Sequence, residues 1–303
     1  MTCIRSRDNL GSINQRVLEQ LVLEATLNAN APSVFRTPAS FYFVVAFGIA
    51  WIMWLFPVLA THGVLTLSPT MQLICLFTGS FGPFIGAFIA VYRDGGWSAV
   101  KEFAGRSLRY RIGPIYLLTA LLLMPVLAGI VAWWLSTRGG PAYAVLVPLT
   151  QFPLLYLELF FIGGSVNEEF GWAYAIDRLQ QGRWRLSAAI ILGVIWGCWH
   201  IPLFFIVGLT QSFMPFWAFV LFTVAFRILI VWGYESNRKS ILVALIFHTG
   251  SNFSFNLYSM IDRTPQRDER GFIGYCLITL LVAVVVALTA RCYRSNPMLP
   301  ARE

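Results

Sequence analysis

FYFVVAFGIAWIMWLFPVLA, residues 41–60, runs for twenty residues without a charged side chain. A helix rises 1.5 Å per residue, so this stretch reaches about 30 Å, the thickness of a bilayer's hydrocarbon core. Working outward from it, apolar stretches of similar length fall at 39–60, 70–92, 112–135, 142–166, 186–207, 213–233, 240–259 and 271–290. They predict an all-α polytopic membrane bundle of about eight transmembrane helices. Composition agrees: of 303 residues, 57% are hydrophobic and 12% charged, with a mean hydropathy of +0.68. A soluble domain carries about 25% charged residues. A water-soluble globule, a disordered chain and a disulfide-stapled secreted domain are all excluded.

The net charge of +8 does not signify nucleic acid, because the basic residues lie between apolar runs and read as membrane topology. With the N-terminus cytoplasmic, segments 1–38, 93–111, 167–185, 234–239 and 291–303 hold 17 Lys and Arg residues. The opposite loops hold 4, and Arg227 lies inside the sixth span. This predicts a multi-pass protein of a bacterial plasma membrane with both termini in the cytoplasm. It divides into a segment 1–38, a transmembrane region 39–290 and a tail 291–303. Ser12-Ile13-Asn14-Gln15 fits a capping box ahead of an apolar face, so 1–38 is either an interfacial helix or a partly ordered tail. The cysteines Cys3, Cys75, Cys198, Cys276 and Cys292 have no paired spacing and read as packed thiols.

Ionisable residues at membrane depth are costly and mark function. They are Glu158, Glu168, Glu169, His200, Arg227 and His248, joined by the amides Asn252 and Asn256. His248 and Asn252 are four apart and share a helix face, as do Trp196 and His200. Glu168 and Glu169 point about 100° apart, so only one can aim squarely into a shared site. By helical rise His248 lies ~12 Å and His200 ~21 Å from the cytoplasmic starts of their spans. A carboxylate to activate water, an imidazole to hold it, and imidazole and amide N–H groups to stabilise an oxyanion suit hydrolysis. Glu168, His200 and His248 would equally suit a zinc site with an open position.

Asn167-Glu168-Glu169-Phe170-Gly171-Trp172 followed by Asp177-Arg178-Leu179-Gln180, then Trp196-Gly197-Cys198-Trp199-His200, then His248-Thr249-Gly250-Ser251-Asn252 resemble, in order, the three motifs of the CPBP intramembrane proteases. These are the CAAX-processing and bacteriocin-processing enzymes. The resemblance covers about residues 160–256. It implies an eight-span helical fold whose active site lies within the membrane and opens toward the cytosol. It further implies that Glu168 activates the hydrolytic water, that His200 helps hold it, and that His248 and Asn252 stabilise the oxyanion. The family is often labelled a metalloprotease; the reading here is a glutamate-activated water with no required cofactor, zinc being the alternative. The implied partners are membrane lipid and a membrane-bound or lipidated peptide.

One position departs from the family pattern Glu-Glu-x-x-x-Arg. The arginine that would pair with Glu169 four residues on is Ala173. Arg227, ~9 Å deep by helical rise, is a candidate replacement; otherwise it pairs with Glu158 or snorkels to the cytosol. The leading expectation is an intramembrane endopeptidase. Ala173 keeps a second reading open, a non-catalytic member binding a hydrophobic peptide, for example in bacteriocin immunity. A transporter is a third, with neither an inverted repeat nor a broken-helix pair to support it.

Overall fold

The structure is a computed structural model describing residues 37–294; the expected interfacial helix and residues 295–303 of the tail lie outside the described residues. All its regular elements there are helical. They are α1 (Ala39–Thr61), α2 (Pro69–Ser80), α3 (Gly82–Gly105), α4 (Pro114–Ser136), α5 (Phe152–Phe161), α6 (Ser165–Leu179), α7 (Arg185–Trp199), α8 (Phe216–Ser236), α9 (Ile241–Leu257), α10 (Arg270–Thr289) and the short α11 (Arg291–Arg294). Six helical stretches are long and apolar enough to span a bilayer; α2 and α3 count as one of them. α5 with α6, bent by 48°, makes a seventh, and α9 is a shorter apolar helix of 17 residues.

The fourth expected span is corrected by this arrangement. It does not run from 142 to 166 and end at the glutamates. It starts at Leu149, breaks at Ile162–Gly164 and continues to Leu179. Segment 167–185, expected as a cytoplasmic loop, is instead mostly the helix α6. That helix crosses the protein interior with Asn167 to Asp177 buried throughout. Polar residues are tolerated there because tertiary partners satisfy them. Asn167 donates to Ser80 Oγ at 2.6 Å, and Ser165 and Thr249 hydroxyls lie 2.9 Å apart. Close approach also demands Gly171, where a Cβ would stand 2.4 Å from Pro83 of α3.

Small residues line the α1–α3 contact, with Ala46, Ala50, Ala87 and Ala90 fully buried, as close helix packing without a hydrophobic driving force requires. Val44, Ile52, Leu118 and Leu281 point outward and are exposed, the surface a lipid-facing wall needs.

The two ends of the bundle differ in charge. One end gathers Arg93, Lys101, Arg106, Arg109, Arg111, Arg178, Arg183, Arg185, Arg238, Lys239, Arg291 and Arg294. Its loops are tied together: Arg109 donates to Arg238 O, Arg185 to Cys292 O, and Thr37 N–H to Asp94 at 2.6 Å. The other end holds Arg138, Arg263, Arg267 and Arg270. It too is joined, by Arg263 to Thr210 Oγ1 and by Arg270 to Arg138 O. Among the described residues the split is twelve against four.

Candidate active site

The break between α5 and α6 builds the site. Gly164 takes a left-handed conformation, φ 110°, which a residue with a Cβ rarely adopts. The turn sends the chain into α6, and Glu168 N–H donates back to Gly164 O at 2.9 Å. A Cβ on Gly164 would lie 3.0 Å from Glu168 Oε1, 3.6 Å from Asn252 Nδ2 and 3.6 Å from His248 Nε2. Three polar atoms from α6 and α9 thus surround one point that only a glycine leaves open.

Each is aimed by a second contact. Glu168 Oε2 accepts two indole N–H groups, Trp196 at 2.7 Å and Trp172 at 3.2 Å, which leaves Oε1 for the cavity. His248 Nδ1 donates to Glu169 Oε1 at 2.8 Å, so its Nε2 faces the cavity. Asn252 Nδ2 gives one N–H to Gly163 O at 2.6 Å and keeps the other. His200, at the end of α7, donates from Nδ1 to Trp196 O at 2.9 Å, and its free Nε2 is an acceptor.

Behind this row lies a buried ion pair. Arg227 of α8 donates to both oxygens of Glu169. Its guanidinium carbon sits 4.2 Å from the Trp196 ring centroid and 5.9 Å from that of Trp172. Glu158, the other expected partner, is exposed on α5. The expected paths for Arg227 through Glu158 or by snorkelling are therefore replaced by Glu169. Glu169 points away from the cavity while Glu168 points into it.

The cavity has a volume of about 280 Å³. Glu168, Trp196, His200, His248, Ser251 and Asn252 form its polar wall, and Leu159, Met214, Phe219, Phe222, Phe226 and Phe255 its apolar one. Leu209, Thr210, Gln211 and the exposed Asn256 complete it at the end of the bundle that is poor in basic residues.

A metal would need converging ligands, and among the described residues no three His, Cys, Asp or Glu side chains form such a group. One Glu168 oxygen is occupied by indole donors, and an amide N–H of Asn252 faces the same space. The zinc set of Glu168, His200 and His248 does not fit this geometry.

The family profile of the type II CAAX prenyl endopeptidase, Rce1-like, matches residues 150–254, the segment holding all of these groups but Phe255 and Asn256. The chain is 27% identical over 256 residues to "CAAX prenyl protease 2" of Methanococcus maripaludis, covering 77% of this chain and 89% of that protein. Over this segment the chain is similar to the type II CAAX prenyl endopeptidases. Sequence reasoning gave no role to Trp172, to Gly163 and Gly164, or to the segment 209–214. Trp172 carried a signal, since it stands four residues after Glu168, the same spacing that singled out Trp196 and His200. The Gly163-Gly164 doublet inside an apolar run was a second one.

Proposed function

We propose that this protein hydrolyses a peptide bond of a membrane-associated or lipidated, CAAX-like peptide with a water activated by Glu168. One observation carries the reading: a carboxylate oxygen, an imidazole nitrogen and an amide nitrogen lie within 3.6 Å of a single point beside Gly164. Water bound between Glu168 Oε1 and His200 Nε2 gives its proton to Glu168 as it attacks the scissile carbonyl. The oxyanion receives an N–H from Asn252 and one from Nε2 of His248, whose Nδ1 is held by Glu169. Glu168 then passes the proton to the leaving amine. This route requires no metal cofactor. The phenylalanines of the cavity wall fit a substrate with apolar side chains around the cleaved bond.

The protein is a multi-pass plasma-membrane protein with both termini cytoplasmic, a reading supported by the charge split between its two ends. The non-catalytic alternative drew on Ala173, and the cation that Arg227 supplies to Glu169 removes its motive.

The test is cleavage of tailed, membrane-anchored peptides by purified protein in proteoliposomes, wild type against Glu168→Gln. The variant removes a base at nearly constant volume, and its rate falls by about 10²–10⁴. Equal rates would sink the mechanism.

A further inference from the structure

We propose that Trp51, on α1 and outside the segment that the family profile matches, is a positioning residue: its indole N–H holds the last carbonyl of α7 and so sets where the His200 imidazole points. The proposal rests on the part given to His200 in the endopeptidase reading and adds what keeps that ring in place.

His200 stands where α7 stops, as its C-terminal cap, with a tighter helical segment, Ile201–Phe205, directly after it. The carbonyls of a helix's last turn have no partner within the helix, and at membrane depth water does not supply one. Three of them are met here by separate donors. The ring Nδ1–H donates to Trp196 O at 2.9 Å, and the backbone N–H of His200 to Gly197 O at 3.2 Å. The Trp51 indole, reaching over from α1, donates to Trp199 O at 2.9 Å. The last two bonds end on one peptide unit, because Trp199 C=O and His200 N–H lie in the same plane. That unit is held at both edges, so its rotation is fixed. The direction of the His200 Cα–Cβ bond, and with it the place of Nε2, follows.

The ring itself is confined. Trp199 meets it edge-on at 4.8 Å and Phe219 at 5.0 Å, and Trp54, three residues beyond Trp51 on α1, stacks behind at 6.5 Å. Trp54 is fixed in turn by its N–H to Leu76 O at 3.0 Å and by Gly79, where a Cβ would stand 2.4 Å from that nitrogen. Residues three apart share a helix face, so α1 offers both tryptophans to the end of α7. They differ in exposure: Trp54 is 2% exposed and Trp51 39%. Replacing Trp54 would open a void in the core, whereas replacing Trp51 by another ring removes little besides the donor. Trp51 does not line the chamber, so its effect on the reaction passes through His200.

The experiment uses Trp51→Phe in the full chain. A hydrogen bond's typical contribution corresponds to about two- to tenfold in rate. The variant should lose that much in kcat on a tailed, membrane-anchored peptide, with KM little changed. In a His200→Ala background the same substitution should cost nothing more. An equal loss in both backgrounds, a change in KM alone or an unchanged kcat overturns the proposal. A readout independent of activity is the NMR spectrum of protein carrying isotope-labelled histidine. The chain has three histidines, and His200→Ala assigns the signals of interest. Trp51→Phe should shift the His200 ring signals and leave those of His62 and His248 in place. Unmoved His200 signals, or a shift shared by all three, overturn the proposal. If wild-type protein cleaves no peptide while the His200 signals move as expected, the endopeptidase reading fails and the hold of Trp51 on His200 stands.

Discussion

Arg227 grips both oxygens of Glu169 through hydrogen bonds of 2.7 and 3.1 Å, joining α8 to α6 across 58 residues of sequence. Both side chains are almost wholly buried. Removing one partner of such a pair strands the other's charge and costs about 3–5 kcal/mol. Arg227→Gln should therefore lower the thermal unfolding temperature sharply in detergent. Adding Ala173→Arg, which puts the cation one turn from Glu169 on α6, should recover part of the loss. No recovery would mean that the site demands a cation from α8.

The two indoles on Glu168 make a second prediction. A hydrogen bond to a charged group contributes about 1.5–3 kcal/mol. Trp172→Phe and Trp196→Phe should each slow turnover by about tenfold or more and change KM little, because the indoles set where Oε1 points. Steady-state kinetics on both variants checks this; a KM-only effect would assign the rings to substrate contact.

Gly164→Ala should be the most damaging small substitution. It strains a backbone at φ 110° and places a methyl 3.0 Å from Glu168 Oε1, in the space the water needs. Left-handed conformation costs an alanine about 1–2 kcal/mol, which leaves much of the fold intact, whereas activity should fall below detection. Retained cleavage would move the reaction away from this point.

The loop 258–269 should loosen in acid. Asp262 accepts the backbone N–H of Asp268, then the Thr264 hydroxyl and backbone N–H, which hold its carboxyl below the ordinary 3.8. A lowered folded-state value gives stability that is complete above the ordinary value and lost as pH falls through the folded one. Limited proteolysis of 258–269 should be flat from pH 8 to pH 5 and accelerate only below the ordinary value. In Asp262→Asn the loop should be cleaved faster throughout, with the acid step gone.

Much of this site could be read from the chain. His200, His248 and Asn252 stood out because polar side chains in apolar runs have few innocent explanations, and four-residue spacing fixed which shared a face. The glutamates were legible as residues and not as structure. Asn167, Glu168, Glu169, Asp177 and Arg178 make α6 look like a loop, since their partners Ser80, Trp196, Arg227, Arg106 and Thr37 lie on distant segments. The break at Gly163-Gly164 was hidden because an apolar run does not show where its helix stops. Arg227 offered a charge at the right depth, but depth alone did not distinguish Glu169 from Glu158.

The clamp of Arg106, Lys239 and Tyr234 on Asp177 has an electrical consequence. It closes one end of the chamber, so the cavity is blind and conducts nothing. A transmembrane voltage then falls across the sealed end, where each charge moved would cost about 2.3 kcal/mol per 100 mV, and hardly at all across the wet cavity. On the proposed mechanism, Glu168 and the water it activates sit near the potential of the solution that wets the cavity. Protons exchanged in hydrolysis return to that same solution, and both cleavage products leave without crossing the field. Turnover should thus be indifferent to whether the membrane is energised.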